Sequence, residues 1–231
     1  QISPLFTALL LGGSLLLPGC VGEPTEPGEP TEASASLLRA HFPGQAERVL
    51  ARTGTFTAGD RGFSAALAED LQGWGGLRAT LPAEGEGAVA LQLPHGGELR
   101  VREIGAAGPA EQAEGAIAYR RARGTSFWTV VPGGVEEWVH VEAGALDRSG
   151  RAASWAIEGA SAREAGEAVE ITDAAGVVRV RVTAPAAFAA GGRAIGAHLR
   201  VEGSTISVYV DPTADEVLID PLWIASSPMS T

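Results

Sequence analysis

From about residue 54 onward, apolar and polar residues alternate with a period of two. Val89, Leu91 and Leu93 alternate with Ala88, Ala90 and Gln92, and Leu99 and Val101 with Arg100 and Arg102. Val178, Val180 and Val182 alternate with Val177, Arg179, Arg181 and Thr183. Leu199 and Val201 alternate with Arg200 and Glu202, and Ile206, Val208 and Val210 with Thr205, Ser207 and Tyr209. Each run predicts a strand with one dry face and one wet face. Gly96-Gly97, Asp173–Gly176 and Gly203-Ser204 are turn signals between such runs. About twelve strands at short spacing, without crossover helices between them, predict an all-β fold, an antiparallel β-sandwich or stacked meander. No boundary interrupts 54–223, although Ala143–Ala153 reads as a flexible loop able to divide two subdomains. Ahead of the strands the period differs. Ser34 or Ser36 is placed to cap a helix, and Leu37, Leu38, Phe42, Val49 and Leu50 supply an apolar stripe that Pro43-Gly44 breaks. Two short helices, about 36–41 and 44–51, are expected as an N-terminal lid on a domain spanning 34–223.

The first twenty residues have another character. Ile2–Leu17 is apolar apart from Ser3, Thr7 and Ser14. It is shorter than the ~20 residues a bilayer span needs and has the length of a signal-peptide core. The Met and basic residues expected ahead of such a core are missing, so the sequence reads as truncated at its N-terminus. Leu17-Pro18-Gly19-Cys20 resembles a lipobox, with Pro18 in place of the usual small residue. That resemblance implies a signal peptide over 1–19, cleavage after Gly19, a diacylglyceryl group on the Cys20 thiol and a further acyl chain on the new amino terminus. Several chains are what a stable lipid anchor requires. The implied partner is a lipid bilayer, and Val21 in place of an Asp retention signal points to the outer membrane. Residues 20–33, rich in Pro and Glu, read as an extended, disordered tether.

Composition narrows the chemistry. The net charge is −11, and all 17 basic residues are Arg. A nucleic-acid partner is excluded on this balance, because binding needs clustered cations. Arg120, Arg121 and Arg123 form the densest basic group and read as a solvated strand edge. One cysteine excludes an internal disulfide and a cysteine-based zinc cluster. His41, His95, His140 and His198 show no metal-binding spacing, each is expected to lie alone, and neither HExxH nor GxSxG occurs. No catalytic residue, metal or cofactor is expected, and the chain reads as a non-enzyme. Asp211, Asp215, Glu216 and Asp220 read as turn-forming carboxylates around Pro212 and Pro221 rather than a calcium loop. Val135–Glu142 is the richest segment. Period two puts Val135, Glu137, Val139 and Val141 toward the core, with Glu136, Trp138, His140 and Glu142 on the other face. Trp138, with Trp128 on the preceding strand across the Pro132-Gly133-Gly134 turn, is then either covered by a loop or second layer, or presented as a ligand platform together with His140.

The stretches Leu38-Arg-Ala-His-Phe-Pro-Gly44, Phe127-Trp128, Val135-Glu136-Glu137-Trp138, Thr183-Ala-Pro-Ala186 and Val217-Leu-Ile-Asp-Pro-Leu-Trp223 carry a wider likeness. Together with the lipobox and spacer, the chain resembles the N-terminal β-rich domain of myxobacterial-type surface lipoproteins that precede Kelch-like repeats. Trp223–Thr231 is similar to the opening of a Kelch-type repeat, so 224–231 is expected to begin a truncated downstream region. The resemblance implies a membrane-anchored envelope lipoprotein whose non-catalytic module acts as a spacer or interaction domain, with a protein or glycan as its further partner. It brings no catalytic residues. Two alternatives stand beside it: a carbohydrate-binding or adhesion module using exposed Trp128 and Trp138, and a hydrolase with a dispersed site.

Overall fold

The computed structural model describes residues 30–51, 54–67, 76–94, 96–183 and 185–226. Cys20, most of the expected tether, His95 and the tail from 227 lie outside them. Two helices come first, α1 (Pro30–His41) and α2 (Pro43–Leu50). The second helix begins on Pro43, whose fixed φ and missing N–H suit a first helical position. The first begins on Pro30 for the same reason, so residues 30–33, expected in the tether, are helical instead.

The strands then run in short antiparallel groups. β1 (Gly54–Gly59), β2 (Gly62–Leu67), β3 (Arg78–Leu81), β4 (Val89–Gln92) and β5 (Glu98–Glu103) form one meander. β6 (Ala106–Ala113), β7 (Ala116–Arg121), β8 (Gly124–Val131) and β9 (Gly134–Val141) form a second. β10 (Arg151–Glu158) returns to pair with β5. β11 (Ser161–Ala165), β12 (Ala168–Thr172) and β13 (Val178–Val182) follow, then the hairpin β14 (Ala186–Ala189) and β15 (Arg193–Ile195). The hairpin β16 (Ala197–Glu202) and β17 (Thr205–Val210) pairs with β10, and β18 (Val217–Asp220) and β19 (Leu222–Ala225) end the described chain.

These nineteen strands make an antiparallel sandwich of two sheets. The first has eight strands in the order β1-β2-β3-β4-β5-β10-β17-β16. The second has eleven, and β9 is its hub. One edge of β9 pairs with β8 along its full length. Its other edge is shared: β19 covers Gly134–Glu136 and β18 covers Val139–Val141. At the join Pro221, which has no N–H to offer, accepts from the Glu137 amide through its carbonyl at 3.1 Å. Gly134 is required at the β19 end, because a Cβ there would run into the Trp223 carbonyl. β10 binds the N-terminal meander to the C-terminal hairpin, so the loop before it connects the two sheets and does not divide subdomains.

Two apolar layers result. Between the sheets lie Leu81, Leu91, Val101, Trp155, Ile206 and Val208, against Ile117, Trp128, Val135, Val139, Val180 and Trp223. Outside the second sheet, Leu38, Phe42, Val49 and Leu50 of the helices cover Ala116, Ala118, Phe127, Trp138 and Leu218. The helices are thus the lid that the apolar stripe predicts. Trp223 fills the middle of the inner layer, 6.2 Å from Trp128 and 5.7 Å from Trp155 between ring centroids. Trp223→Ala is expected to lower unfolding free energy by ~3–5 kcal/mol through the cavity it leaves. Urea titration checks this, and a loss below ~1 kcal/mol would show that the three rings do not form one packed unit.

Candidate functional site

Trp128, Trp138 and His140 lie on or beside β9, and all three are enclosed. Trp128 and Trp138 are 0% exposed and His140 is 1% exposed. The exposed aromatic platform is therefore corrected, for two physical reasons. First, the β8–β9 hairpin turns on two residues, Pro132 and Gly133, because Val131 pairs with Gly134. A three-residue turn including Gly134 would have set Trp128 opposite Trp138. The observed register sets Trp128 opposite Glu137 and Phe127 opposite Trp138, since a one-residue change of register moves side chains to the other face. Trp128 thus faces the sandwich interior. Second, the outer face that carries Trp138 and His140 lies under the helices.

Polar residues fasten that outer face to the lid. Trp138 donates its indole N–H to Glu136 Oε2 at 2.9 Å, and Glu136 Oε1 accepts from Arg48 of α2 at 3.2 Å. The Arg48 guanidinium lies 5.0 Å from the Trp138 ring centroid and 3.8 Å from Asp220. Asp220 also accepts from the Ala186 amide at 2.6 Å. Burial nevertheless pushes its carboxyl up to about 6, with Glu136 adding to the rise and the Ala186 amide and Arg48 opposing it. At the other end of the lid, Glu216 pairs with His41 of α1 and lies 3.4 Å from His140 Nε2. The two histidines expected to lie alone therefore share one carboxylate. The His140 ring takes the edge of Phe42 at 5.9 Å. Burial lowers the pKa of His140, against the opposing pull of Glu216 and Glu142. Arg39 pairs with Glu114 at 2.7 Å as a third fastening.

The inner face carries a second group that the sequence reading passed over. Arg120 and Arg123 are solvated as expected, but Arg121 turns inward with its side chain 12% exposed. It donates to Glu103 and, at 3.4 Å, to the Ala152 carbonyl. The Ser126 hydroxyl also donates to Glu103. Glu137 lies alongside, 0% exposed, its carboxyl raised well above the ordinary value first by burial and then by the charge of Glu103. Tyr119 donates its hydroxyl to the Pro82 carbonyl at 2.7 Å, and burial raises its pKa. A groove of about 460 Å³ opens beside Arg121, lined by Arg151, Ser154, Thr205 and Ser207 among others. Its Ser154 and Ser207 hydroxyls bond each other at 2.8 Å.

This arrangement limits the available chemistry. Paired carboxylates serve glycoside hydrolysis when they flank a cleft, whereas Glu137 is sealed between the sheets and does not line the groove. Three of the four carboxylates of 211–220 go to different partners: Glu216 to the histidines, Asp220 to Ala186 and Asp215 to Arg193. Among the described residues no group of three or more His, Cys, Asp or Glu is placed to hold a metal ion. No family model matches the chain, and no curated protein matches it.

The lid carries a pH dependence with a definite sign. His140 is disfavoured as a cation in the fold, so its contribution to stability is complete above its ordinary value of 6.5 and is lost as pH falls below it. From pH 7.5 to 5.5 the urea midpoint of the wild type is expected to decline relative to that of His140→Gln. Parallel curves would contradict this role.

Proposed function

We propose that the chain is the membrane-proximal part of a lipid-anchored envelope protein. It is a non-catalytic β-rich module that acts as a spacer and interaction domain, with a Kelch-type propeller following it. What supports this most directly is the order of parts: a stretch resembling a lipobox at Cys20, a Pro/Glu-rich segment, then a helix pair packed on the sandwich. A pull delivered through the spacer reaches α1 first. It is resisted there by the apolar layer around Leu38 and Phe42 and by the pairings of Arg39 and His41. Acyl chains on Cys20 supply the anchor, because one acidic domain without them has little to hold it at an anionic membrane surface.

A protein partner is favoured over a glycan. The tryptophans that would have stacked on a sugar are inside, and the outer face of the first sheet is laced with charge instead. There Arg100 pairs with Glu98 and Glu158, and Arg102 with Glu158. The hydrolase alternative loses support with the enclosure of Glu137.

The test is metabolic labelling with a radioactive fatty acid in a bacterial host, followed by fractionation. Wild-type protein is expected to carry label and to sediment with the envelope, and Cys20→Ser to be unlabelled and released. A Cys20→Ser protein that stays labelled and envelope-bound would remove the lipoprotein reading.

A further inference from the structure

Within the sandwich, hydrogen-bond donors are unequally shared. Glu103 Oε1 receives both the Arg121 guanidinium and the Ser126 hydroxyl. Glu103 Oε2 and both oxygens of Glu137 are buried and receive none. Glu103 and the Trp155 indole are neighbouring polar groups that act on the Glu137 carboxyl, and the indole N–H makes no hydrogen bond. Three acceptors without a donor are costly in a dry layer, because each forfeits its hydrogen bonds to water without replacement. The charge count is also unbalanced, with two carboxylates facing one guanidinium. A single proton balances the charge and supplies one of the missing donors. It turns Glu137 into a donor toward Glu103 Oε2, and it makes the group of Glu103, Glu137 and Arg121 neutral.

We propose that Glu103 and Glu137 share one proton, and that the resulting carboxyl–carboxylate hydrogen bond staples β5 of the first sheet to β9 of the second. Two donors nearby are uncommitted, the buried indole N–H groups of Trp128 and Trp155, which make no hydrogen bond; the remaining polar groups are engaged elsewhere. From β7 comes Arg121, already held by Glu103 and the Ala152 carbonyl, and Tyr119, whose hydroxyl is committed to Pro82. From β8 come Ser126, committed to Glu103, and the Trp128 ring. From β10 comes Trp155, the cross-strand partner of Glu103. Asp220 and Glu136 belong to the opposite, lid-side network. Burial and the Glu103 charge favour the protonated form of Glu137, against Arg121 and the Trp155 indole. This proton-binding pair is distinct from the lid and does not depend on the proposed membrane role.

The sign follows from linkage. Glu137 holds its proton when folded and loses it when unfolded at neutral pH. Its contribution is complete below the ordinary carboxylate value of 4.5 and is lost as pH rises through the raised folded value. Across that window the pair makes the folding constant fall about tenfold per pH unit. Removing the proton leaves two like charges facing each other between the sheets.

The test counts protons. Calorimetric unfolding of the full chain at pH 7.5, where Asp220 is ionised, is carried out in two buffers of different ionisation enthalpy. Wild type is expected to release one proton more than Glu137→Gln, whose amide still donates to Glu103. Equal release overturns the proposal. Infrared spectroscopy of the wild type at the same pH is expected to show a protonated-carboxyl stretch that shifts in heavy water. Its absence overturns the proposal even where the variant fails to fold.

Discussion

A strand with no wet face governs this molecule. Every residue of β9 is buried, both its edges are paired, and each face is covered by a different layer. Three of its eight residues, Glu136, Glu137 and His140, nevertheless carry ionisable side chains. A buried polar group without a partner costs more than the same group replaced by an apolar one. Each of the three therefore draws another element into position. Glu136 draws Arg48 from α2, and His140 meets His41 of α1 through Glu216. On the opposite face, Glu137 lies beside Glu103 from the other sheet. The strand thus serves as a common ledge to which lid and sandwich are both keyed.

Magnitudes separate what holds the lid from what orients it. Burying side chains such as Leu38, Phe42, Val49 and Leu50 contributes ~1.5–3 kcal/mol each. An ion pair with a half-exposed guanidinium such as Arg48 adds ~0–1 kcal/mol. The apolar layer supplies the adhesion. The polar pairs fix where along the sheet the helices sit, since a helix displaced by one turn would strand Glu136 and Glu216 beneath apolar surface.

Much of this was legible in local pattern. Period-two runs and glycine turns located β4, β5, β13, β16 and β17, and the stripe through Leu38 and Phe42 located the lid. Long-range pairing was not legible. No local signal says that β10 will join β5 to β17, or that β18 and β19 will share one edge of β9. The placement of Trp128 failed on a single residue of turn length, because Gly134 looks like a turn residue but belongs to the strand, paired with Val131 on one side and Ile224 on the other. The inner cluster had left a trace. Period two put Glu137 among core-facing valines, and the same alternation through Leu99 and Val101 leads inward to Glu103. Reading Arg121 with its solvated neighbours hid the cation that accompanies them.

The proposed spacer role requires the lid and both sheets to behave as one body built around β9. Native-state amide hydrogen exchange tests this most directly. The amides of Glu137, Trp138 and Val139 are expected to exchange only through global unfolding, with the same free energy as the slowest amides of β5 and β10. Exchange of the β9 amides through a lower-energy opening, while β5 and β10 stay protected, would contradict the account.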